Sequence, residues 1–280
     1  MRSVAGNATL ALLLEVTGTP KPGNVDRHRD HPDLRFEHFL AGAVGAWPGL
    51  SMLAGDDERL GEGFDRAVAG MADQRGGNTQ FGALLLLAPL VRAAGAGDGD
   101  LSPAGASEAV EATTVEDAVS FYRAFEHVDV AVDDPPEGLD DLDVRRGADA
   151  ASALRERGLT LSDVMDLSAD VDGVAAEWVG GFERTFEAAG WLLADDGPVP
   201  DRASHAFLRL LADEVDTFVV KTVDRETAEE ATRRARAALD GEEDPEALAE
   251  EFVDRGVNPG TTADLTAGAL FVALERGLVV

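Results

Sequence analysis

Apolar residues return every three or four positions along most of this chain. The spacing is clear at residues 10–14, 36–44 and 84–90, where leucine, phenylalanine and valine would line one face of a helix. Sustained alternation of apolar and polar residues, which marks a half-buried strand, is scarce. The pattern therefore predicts an all-α fold.

The same spacing places individual helices. We expect helices at residues 81–91, 203–219, 225–239, 245–255 and 262–276. Residues 161–192 predict one long buried helix, or a pair with a break near Gly180 and Gly181. Residues 94–113 and 133–143 are predicted surface loops because they are rich in small residues or proline. Since the motifs that carry chemistry occur from end to end, we interpret residues 1–280 as a single compact multi-helix domain that closes around one site.

The charge balance narrows the range of partners. The formal net charge of -30 excludes non-specific binding of nucleic acid or of an anionic membrane, because both require a cationic surface. Excess acid with almost no lysine keeps a protein hydrated in molar salt, so we interpret the chain as a halophile's protein. The sequence has no signal-peptide pattern and no apolar run of about 18 residues, the length that a membrane span requires, and we therefore predict a cytoplasmic location.

The cysteine count excludes some chemistry. Zero cysteines exclude disulfides and cysteine-ligated metals.

One predicted loop carries unusual chemistry, the segment Thr19-Pro-Lys-Pro-Gly-Asn-Val-Asp-Arg27. It contains Lys21, one of only two lysines in a chain that otherwise uses arginine; the other is Lys221. The prolines fix the backbone, and a lysine ammonium suits a phosphate oxygen. The segment is therefore either a phosphate-binding loop that presents Lys21, or an exposed turn with an incidental lysine.

Two further turns of small residues precede predicted helices. Gly76-Gly77-Asn78-Thr79 leads into the helix at 81–91, and Asn258-Pro-Gly-Thr-Thr-Ala-Asp264 leads into the helix at 262–276. Free backbone N–H groups at such helix starts can hold an anion. The alternative is ordinary capping, by Asn78 or Thr79 in the first turn and by a capping box of Thr261 and Asp264 in the second.

Taken together, the motifs resemble those of the triphosphoribosyl-dephospho-CoA synthase family, the ATP:dephospho-CoA triphosphoribosyltransferases. The matching segments, in family order, are Glu15 with Thr19–Arg27, Gly77–Thr79, Thr114–Ala118, Asp172–Phe182 and Asn258–Leu265. The resemblance implies an all-α transferase that moves the 5-triphosphoribosyl group of ATP to the 2'-hydroxyl of dephospho-CoA and releases adenine. The product would be the prosthetic-group precursor for the acyl carrier proteins of citrate lyase and malonate decarboxylase.

The resemblance also implies roles for individual residues. Carboxylates would stabilise an oxocarbenium-like state and supply the base, with Glu15, Asp26 and Asp264 as candidates. Mg²⁺ would bridge the triphosphate to one or two carboxylates, for which Asp26, Asp172 and Asp264 are candidates. The candidates for contacts with substrate and phosphate are Lys21, Gly23, Asn24, Arg27, His28, Gly77, Asn78, Thr79, Asn258, Gly260, Thr261 and Thr262. A shared site requires the Lys21 loop and the 258–264 turn to lie within about 15 Å of each other.

One departure from the family pattern leaves the acceptor open. Gln80 and Phe81 follow Asn78-Thr79, where bacterial members commonly have His and Lys, so the inferred site lacks a cation and a titratable ring. Ribosyl transfer to another cofactor precursor is one alternative. A Mg²⁺-dependent all-α hydrolase of a ribosylated or diphosphate substrate is a second, and a non-catalytic nucleotide-binding protein is a third. The sequence is also compatible with a homo-oligomer.

Overall fold

Helices provide the regular structure of the described part of the chain, which is residues 2–55, 58–96 and 101–280 of a computed structural model. The first seven are α1 (Val4–Thr17), α2 (Phe36–Gly45), α3 (Trp47–Leu53), α4 (Leu60–Met71), α5 (Phe81–Ala96), α6 (Pro103–Glu111) and α7 (Val115–Ala124). Two 3-10 helices, Asp140–Leu142 and Val144–Ala150, precede α8 (Ala151–Arg157), α9 (Leu161–Ser168), α10 (Gly173–Val179) and α11 (Glu183–Ala194). The chain continues with α12 (Val199–Asp213), α13 (Thr217–Thr222), α14 (Arg225–Leu239), α15 (Pro245–Arg255) and α16 (Gly260–Glu275). No strand forms among these described residues, so the predicted all-α fold is confirmed.

Helices α5 and α16 lie at the centre of the main hydrophobic core. Nearly every residue of the ranges 81–91 and 261–274 is buried, as expected of helices that are apolar on all sides. Helix α5 packs against α4, α6 and α16, and α16 also packs against α1, α11 and α12. The contact between the two is close, because a Cβ on Gly268 would lie only 2.6 Å from the Leu86 side chain. The two central helices therefore hold each other in fixed positions.

A second, smaller apolar cluster packs under α12 to α15. Its buried members are Phe207, Leu208, Leu211, Ala212, Val219, Ala228, Ala231, Ala235, Leu248, Phe252 and Val257. Val257 precedes the turn that begins α16, and Ala263 in the first turn of α16 packs against the same cluster. The start of α16 therefore lies where the two apolar clusters meet.

The helix predicted over 161–192 is divided into three. The break near Gly181 is confirmed, because Gly181 and Phe182 have left-handed backbone with φ values of 72° and 62°. A second break, at 169–172, was not predicted. It ends at Asp172, whose carboxylate caps the start of α10.

Two other predicted boundaries are wrong. Residues 103–111 form helix α6 inside the segment predicted to be a loop, with Ser102 as its cap, while 97–100 of that segment lie outside the described residues. The helix predicted at 203–219 begins earlier and is split into α12 and α13. The predictions at 225–239 and 245–255 are confirmed to the residue. No helix in the described ranges is long and apolar enough to cross a membrane.

Candidate active site

The Lys21 loop, between α1 and α2, touches the turn before α16. Asn24 Nδ2 donates hydrogen bonds to Asn258 Oδ1 at 2.9 Å and to the Pro259 carbonyl oxygen at 3.0 Å. Gly23 has a φ of 79°, and a Cβ there would lie 1.9 Å from the Val257 carbonyl oxygen. Only glycine permits this approach. The two loops are in direct contact, which confirms the proximity that the shared-site hypothesis requires.

Lys21 is not presented to solvent as the sequence predicted. Its side chain is fully buried, its ammonium bonds to the Glu15 carboxylate, and its Nζ lies 5.9 Å from the centre of the Phe207 ring. Burial raises the pKa of Glu15, against the opposing effect of the Lys21 charge. The prediction of an exposed lysine was wrong because the loop folds inward onto α12, where Ser204 Oγ donates to the Pro20 carbonyl oxygen at 2.6 Å. In this structure Lys21 neutralises a buried carboxylate.

Asp26 holds the remainder of the same loop together. Its Oδ2 accepts hydrogen bonds from Thr19 Oγ1 at 2.8 Å and Arg29 Nη1 at 3.0 Å, and its Oδ1 accepts one from the His28 N–H at 2.8 Å. The side chain is fully buried. Because the side chain is fully buried as well as engaged at both oxygens, Asp26 is the poorest fit among the predicted metal ligands. Arg27 and His28 are exposed on this loop.

Asp264 is the most strongly perturbed carboxyl group near the meeting point. It lies in the first turns of α16, and Gly82 of α5 packs against it. Burial raises its pKa well above the ordinary value, and the negative charges of Glu15, Asp216 and Asp172 raise it further. A carboxyl group with a raised pKa, gathered with other acids from separate helices, is typical of a functional site.

Asp216 is a buried carboxylate that sequence reasoning missed. Its Oδ2 accepts from the Thr262 N–H at 2.8 Å and from Thr262 Oγ1 at 2.7 Å. Its Oδ1 accepts from the backbone N–H groups of Phe218 at 2.9 Å and Val219 at 3.0 Å. One side chain thus caps α13 and also binds the start of α16. The prediction that the Thr262 N–H is free to hold an anion was wrong, because the protein's own carboxylate occupies it.

The Thr261 hydroxyl also has a role other than the predicted capping box. Residue Pro259 precedes the first turn of α16 and supplies no side-chain cap. Thr261 Oγ1 instead lies 3.0 Å from Thr217 Oγ1, which accepts a hydrogen bond from the Gly173 N–H at 3.0 Å. These contacts join the starts of α10, α13 and α16. Gly260 packs against the Phe218 ring and leaves no room for a Cβ.

Asp172 lies at the edge of this junction and binds the second lysine of the chain. Its Oδ1 accepts from the N–H groups of Val174 at 3.0 Å and Ala175 at 3.1 Å. Its Oδ2 lies 3.2 Å from Lys221 Nζ, and that ammonium also lies 3.3 Å from Asp133 Oδ2. Unlike Lys21, the Lys221 side chain remains partly accessible, at 11% exposure. Asp172 therefore connects Lys221 to the group of acids around Asp264.

The Gly77-Asn78-Thr79 turn belongs to the same region through α5. Asn78 Oδ1 accepts the Phe81 N–H at 3.1 Å, which confirms Asn78 as a cap. The Thr79 hydroxyl and the Gln80 carboxamide oxygen are buried and have no hydrogen-bond partner within the described residues. Gln80 Nε2 donates to the Leu12 carbonyl oxygen at 3.4 Å. The turn leads to Gly82, which packs so closely against the Asp264 carboxylate that a Cβ on this residue would collide with it.

The donor set fits a magnesium ion only if a substrate completes its coordination. Among the residues that the structure describes, no group of three histidine or acidic side chains is arranged to hold a metal ion. Mg²⁺ commonly takes one or two carboxylates together with substrate phosphates and water. Asp172 and Asp264 supply oxygen ligands of that kind, and their mutual repulsion favours a cation nearby. The residues therefore fit an ion shared with a triphosphate.

Three residues near the site, Lys221, Asp216 and Gly82, were not predicted from the sequence, and only Lys221 could have been. Lys221 is the second of only two lysines, and that rarity gave Lys21 its interest although it was not applied to Lys221. Asp216 precedes a short helix and looks like an ordinary cap in the sequence. Gly82 lies inside an apolar run and carries no signal at all.

The fold and the site define an all-α protein in which helix starts and loops distant in sequence bring buried carboxylates together. The chain belongs to the CitG family, described as ATP:dephospho-CoA triphosphoribosyl transferase, whose family model matches residues 1–279.

Two similar proteins support the family. A curated relative from Pseudomonas putida, named "Probable 2-(5''-triphosphoribosyl)-3'-dephosphocoenzyme-A synthase", is 34% identical over 102 residues. That match spans 31% of this chain and 36% of the relative, about a third of each. A crystal structure from Archaeoglobus fulgidus, provisionally named a triphosphoribosyl-dephospho-coA synthase, is similar with a TM-score of 0.68 and 29% identity. The similarity covers 85% of this chain and 99% of that one.

Proposed function

We propose that this protein transfers the 5-triphosphoribosyl group of ATP to the 2'-hydroxyl of dephospho-CoA and releases adenine. Membership of the family supports the choice of reaction. The observation that carries the assignment to a site is the Asp264 carboxyl group, whose pKa is raised by burial and by the charges of Glu15, Asp216 and Asp172. It lies at the end of the 258–264 turn, which contacts the Lys21 loop, and it packs against Gly82 of α5.

The reaction exchanges one bond at the anomeric carbon of the ribose for another. The bond from this carbon to the adenine nitrogen breaks, and a bond from the same carbon to the acceptor oxygen forms. The acceptor hydroxyl loses one proton and adenine leaves as the neutral base with one proton gained, so protons balance. Positive charge develops on the sugar after the bond to adenine has begun to break and before the bond to the acceptor oxygen is complete. Nearby carboxylates stabilise this charge.

Asp264 suits the proton transfer in this scheme. A carboxylate with a raised pKa is a stronger base than an ordinary one and exchanges a proton more readily near neutral pH. Glu15 lies close by in a buried ion pair with Lys21, and its charge contributes to the raised pKa of Asp264. Asp26 stabilises the loop that carries Lys21, because its oxygens accept hydrogen bonds from Thr19, His28 and Arg29.

The triphosphate would approach from the side on which Asp172 lies. A bound Mg²⁺ would neutralise part of the phosphate charge there, with Asp172 as the carboxylate that would hold it while Asp264 serves as the base. All of these residues come from one chain, so the proposal does not require a second copy. We also propose that the reaction takes place in the cytoplasm.

The decisive experiment measures adenine release and the ribosylated product together. Purified protein is incubated with ATP, Mg²⁺ and dephospho-CoA, and both products are quantified by mass spectrometry. We expect equal amounts of adenine and triphosphoribosyl-dephospho-CoA. Adenine with free ribose triphosphate would indicate the hydrolase, adenine only with another acceptor would change the substrate, and ATP binding without adenine would indicate a non-catalytic protein.

A pair of variants assigns the chemistry to the site. Asp264→Asn keeps the shape of the side chain but removes the base, and we expect at least about a 100-fold loss of adenine release. Glu187→Gln removes a carboxylate from an exposed position on α11 and should leave the rate unchanged. Equal rates for the two variants would contradict the role of Asp264.

A further inference from the structure

A polyanion at this site needs cations, and the two cations of the Lys21 loop that contact its buried acids, Lys21 and Arg29, are already paired. This inference rests on the proposed function. Lys21 is fully buried and its ammonium is bound to Glu15. Arg29 is bound to Asp26 and Glu246. Neither group is positioned to meet a triphosphate without breaking a contact that stabilises the loop.

The helix starts are occupied as well. Asp216 takes the Thr262 N–H at the start of α16, Asn78 takes the Phe81 N–H at the start of α5, and Asp172 takes N–H groups at the start of α10. These backbone donors, among them the Thr262 N–H predicted to bind phosphate, therefore already bind oxygen atoms of the protein. A side-chain cation at the accessible edge of the acids would meet a phosphate without breaking these hydrogen bonds.

Lys221 meets that requirement. It lies in the last turn of α13, the helix that Asp216 and Thr217 fasten to the start of α16. Its Nζ lies 3.2 Å from Asp172 and 3.3 Å from Asp133, and its side chain is 11% exposed. These two carboxylates are themselves 34% and 46% exposed, so they can turn to water or to a metal ion at modest cost.

We infer that Lys221, and not Lys21, is the lysine that contacts the triphosphate of the substrate. In the free protein, Asp172 and Asp133 hold the ammonium in place. When the polyphosphate binds, the ammonium exchanges carboxylate oxygens for phosphate oxygens, which are stronger acceptors for a compact point charge. The two lysines of the chain thus have different roles: Lys21 neutralises the buried Glu15, and Lys221 binds the phosphates of the ligand.

The first test uses inorganic tripolyphosphate with Mg²⁺, because this probe carries the phosphates without the nucleoside. Its dissociation constant is measured by calorimetry at the lowest salt at which the protein stays folded. We expect Lys221→Met to weaken binding by about 10- to 100-fold, the loss of one charge-assisted bond, and Lys221→Arg to restore part of it. Arg225→Met removes an equal charge from an exposed position four residues away and should bind as the wild type does.

A further variant separates contact with the ligand from simple support of the loop. Asp133→Asn removes one partner of Lys221. If the lysine only clamps Asp133, this variant should weaken tripolyphosphate binding as Lys221→Met does. If the lysine meets the phosphates, binding should stay equal or become tighter, because a competing carboxylate has been removed.

A second measurement needs no variant and so does not depend on a variant's folding. The chain has two lysines, so an amine-reactive reagent followed by mass spectrometry reads each of them separately. Lys221 should label in the free protein and be protected several-fold by tripolyphosphate, but not by sulfate at equal ionic strength. Lys21 should label only after denaturation, because it is fully buried.

The outcomes for the inference and for the proposed function are distinct. Unchanged tripolyphosphate affinity in folded Lys221→Met, or unprotected Lys221 in the wild type with tripolyphosphate bound, overturns the inference even if adenine is released. Loss of affinity and protection of Lys221 support it even if no acceptor yields product, in which case the proposed function alone fails.

Discussion

Gly82 of α5 lies directly against Asp264 of α16. A Cβ on Gly82 would stand 2.0 Å from Asp264 Oδ2, far closer than a Cβ atom approaches a non-bonded oxygen. The first turn of α5 therefore fixes the position of the carboxyl group on which the proposed chemistry depends.

Gly82→Ala should disable the site with little effect elsewhere. The added methyl group forces the Asp264 side chain out of its place, and a displacement of about 1 Å in a catalytic group can cost about 100-fold in rate. We expect adenine release to fall by about 10- to 100-fold. Steady-state kinetics with ATP and dephospho-CoA measure this change.

Gly190→Ala is the matched control for that substitution. Gly190 is exposed on α11, and a Cβ there would meet nothing within 4 Å. Alanine is the better helix former, so this variant should keep full activity and gain up to about 1 kcal/mol in the free energy of unfolding. An active Gly82→Ala protein would show that Asp264 need not occupy the observed position.

Lys21→Met should destabilise the protein, in contrast to what an exposed lysine would predict. The substitution leaves the Glu15 carboxylate buried without its partner, which typically costs about 3–5 kcal/mol. The double variant Glu15→Gln with Lys21→Met removes both charges and should recover much of the loss. Urea unfolding in a fixed concentration of KCl measures each free energy, and additive effects of the two single substitutions would contradict the ion pair.

The sequence predicted the helical architecture well where apolar spacing and capping agree. The helices at 225–239 and 245–255 could be predicted because each is an amphipathic segment between polar residues that end a helix. The three-way division of 161–192 was harder to predict, because Phe182 adopts a left-handed backbone that phenylalanine rarely adopts and that only tertiary packing can hold. The loop predicted at 94–113 failed because alanine and serine suit both a loop and helix α6.

For the site, the sequence predicted which segments meet but not which atoms are free. Because the Lys21 loop and the 258–264 turn both carry motifs of the same family, a shared site could be predicted, and the contact between Asn24 and Asn258 agrees with it. Whether a lysine faces solvent or a buried acid depends on packing against Phe207 and Ser204, which lie about 180 residues further along. Asp216 was missed for the same reason, since its partner Thr262 is 46 residues away.

The melting temperature should depend strongly on salt. With a net charge of -30, repulsion between acidic side chains opposes the folded state, and molar salt shortens the Debye length to about 3 Å. Calorimetry should show the melting temperature rising steadily as KCl increases to molar concentration. Sucrose, which acts by exclusion and does not screen charge, should give a smaller rise. A melting temperature that is independent of KCl would contradict the halophilic interpretation.

The pH dependence of stability should reveal the raised pKa of Asp264. The folded protein holds a proton on this carboxyl group above its ordinary pKa of 3.8, whereas the unfolded chain releases it. The stability that this proton contributes is fully present below the unfolded pKa and is lost as pH rises through the folded pKa. Asp264→Asn does not titrate, so relative to the wild type it should become progressively more stable as pH rises.

Asp224→Asn provides a control with the opposite sign. The hydrogen bond from the Thr227 N–H, at 2.7 Å, lowers the pKa of Asp224. Its contribution to stability is therefore present above the unfolded pKa and is lost as pH falls, because protonation weakens that bond. Compared with the wild type by urea unfolding between about pH 3 and 8, the two variants should diverge in opposite directions, since every other carboxylate cancels in the comparison. If the difference between Asp264→Asn and wild type does not change over this range, the carboxyl group titrates alike in the folded and unfolded chains, and Asp264 lacks the raised pKa that suits it to be the base.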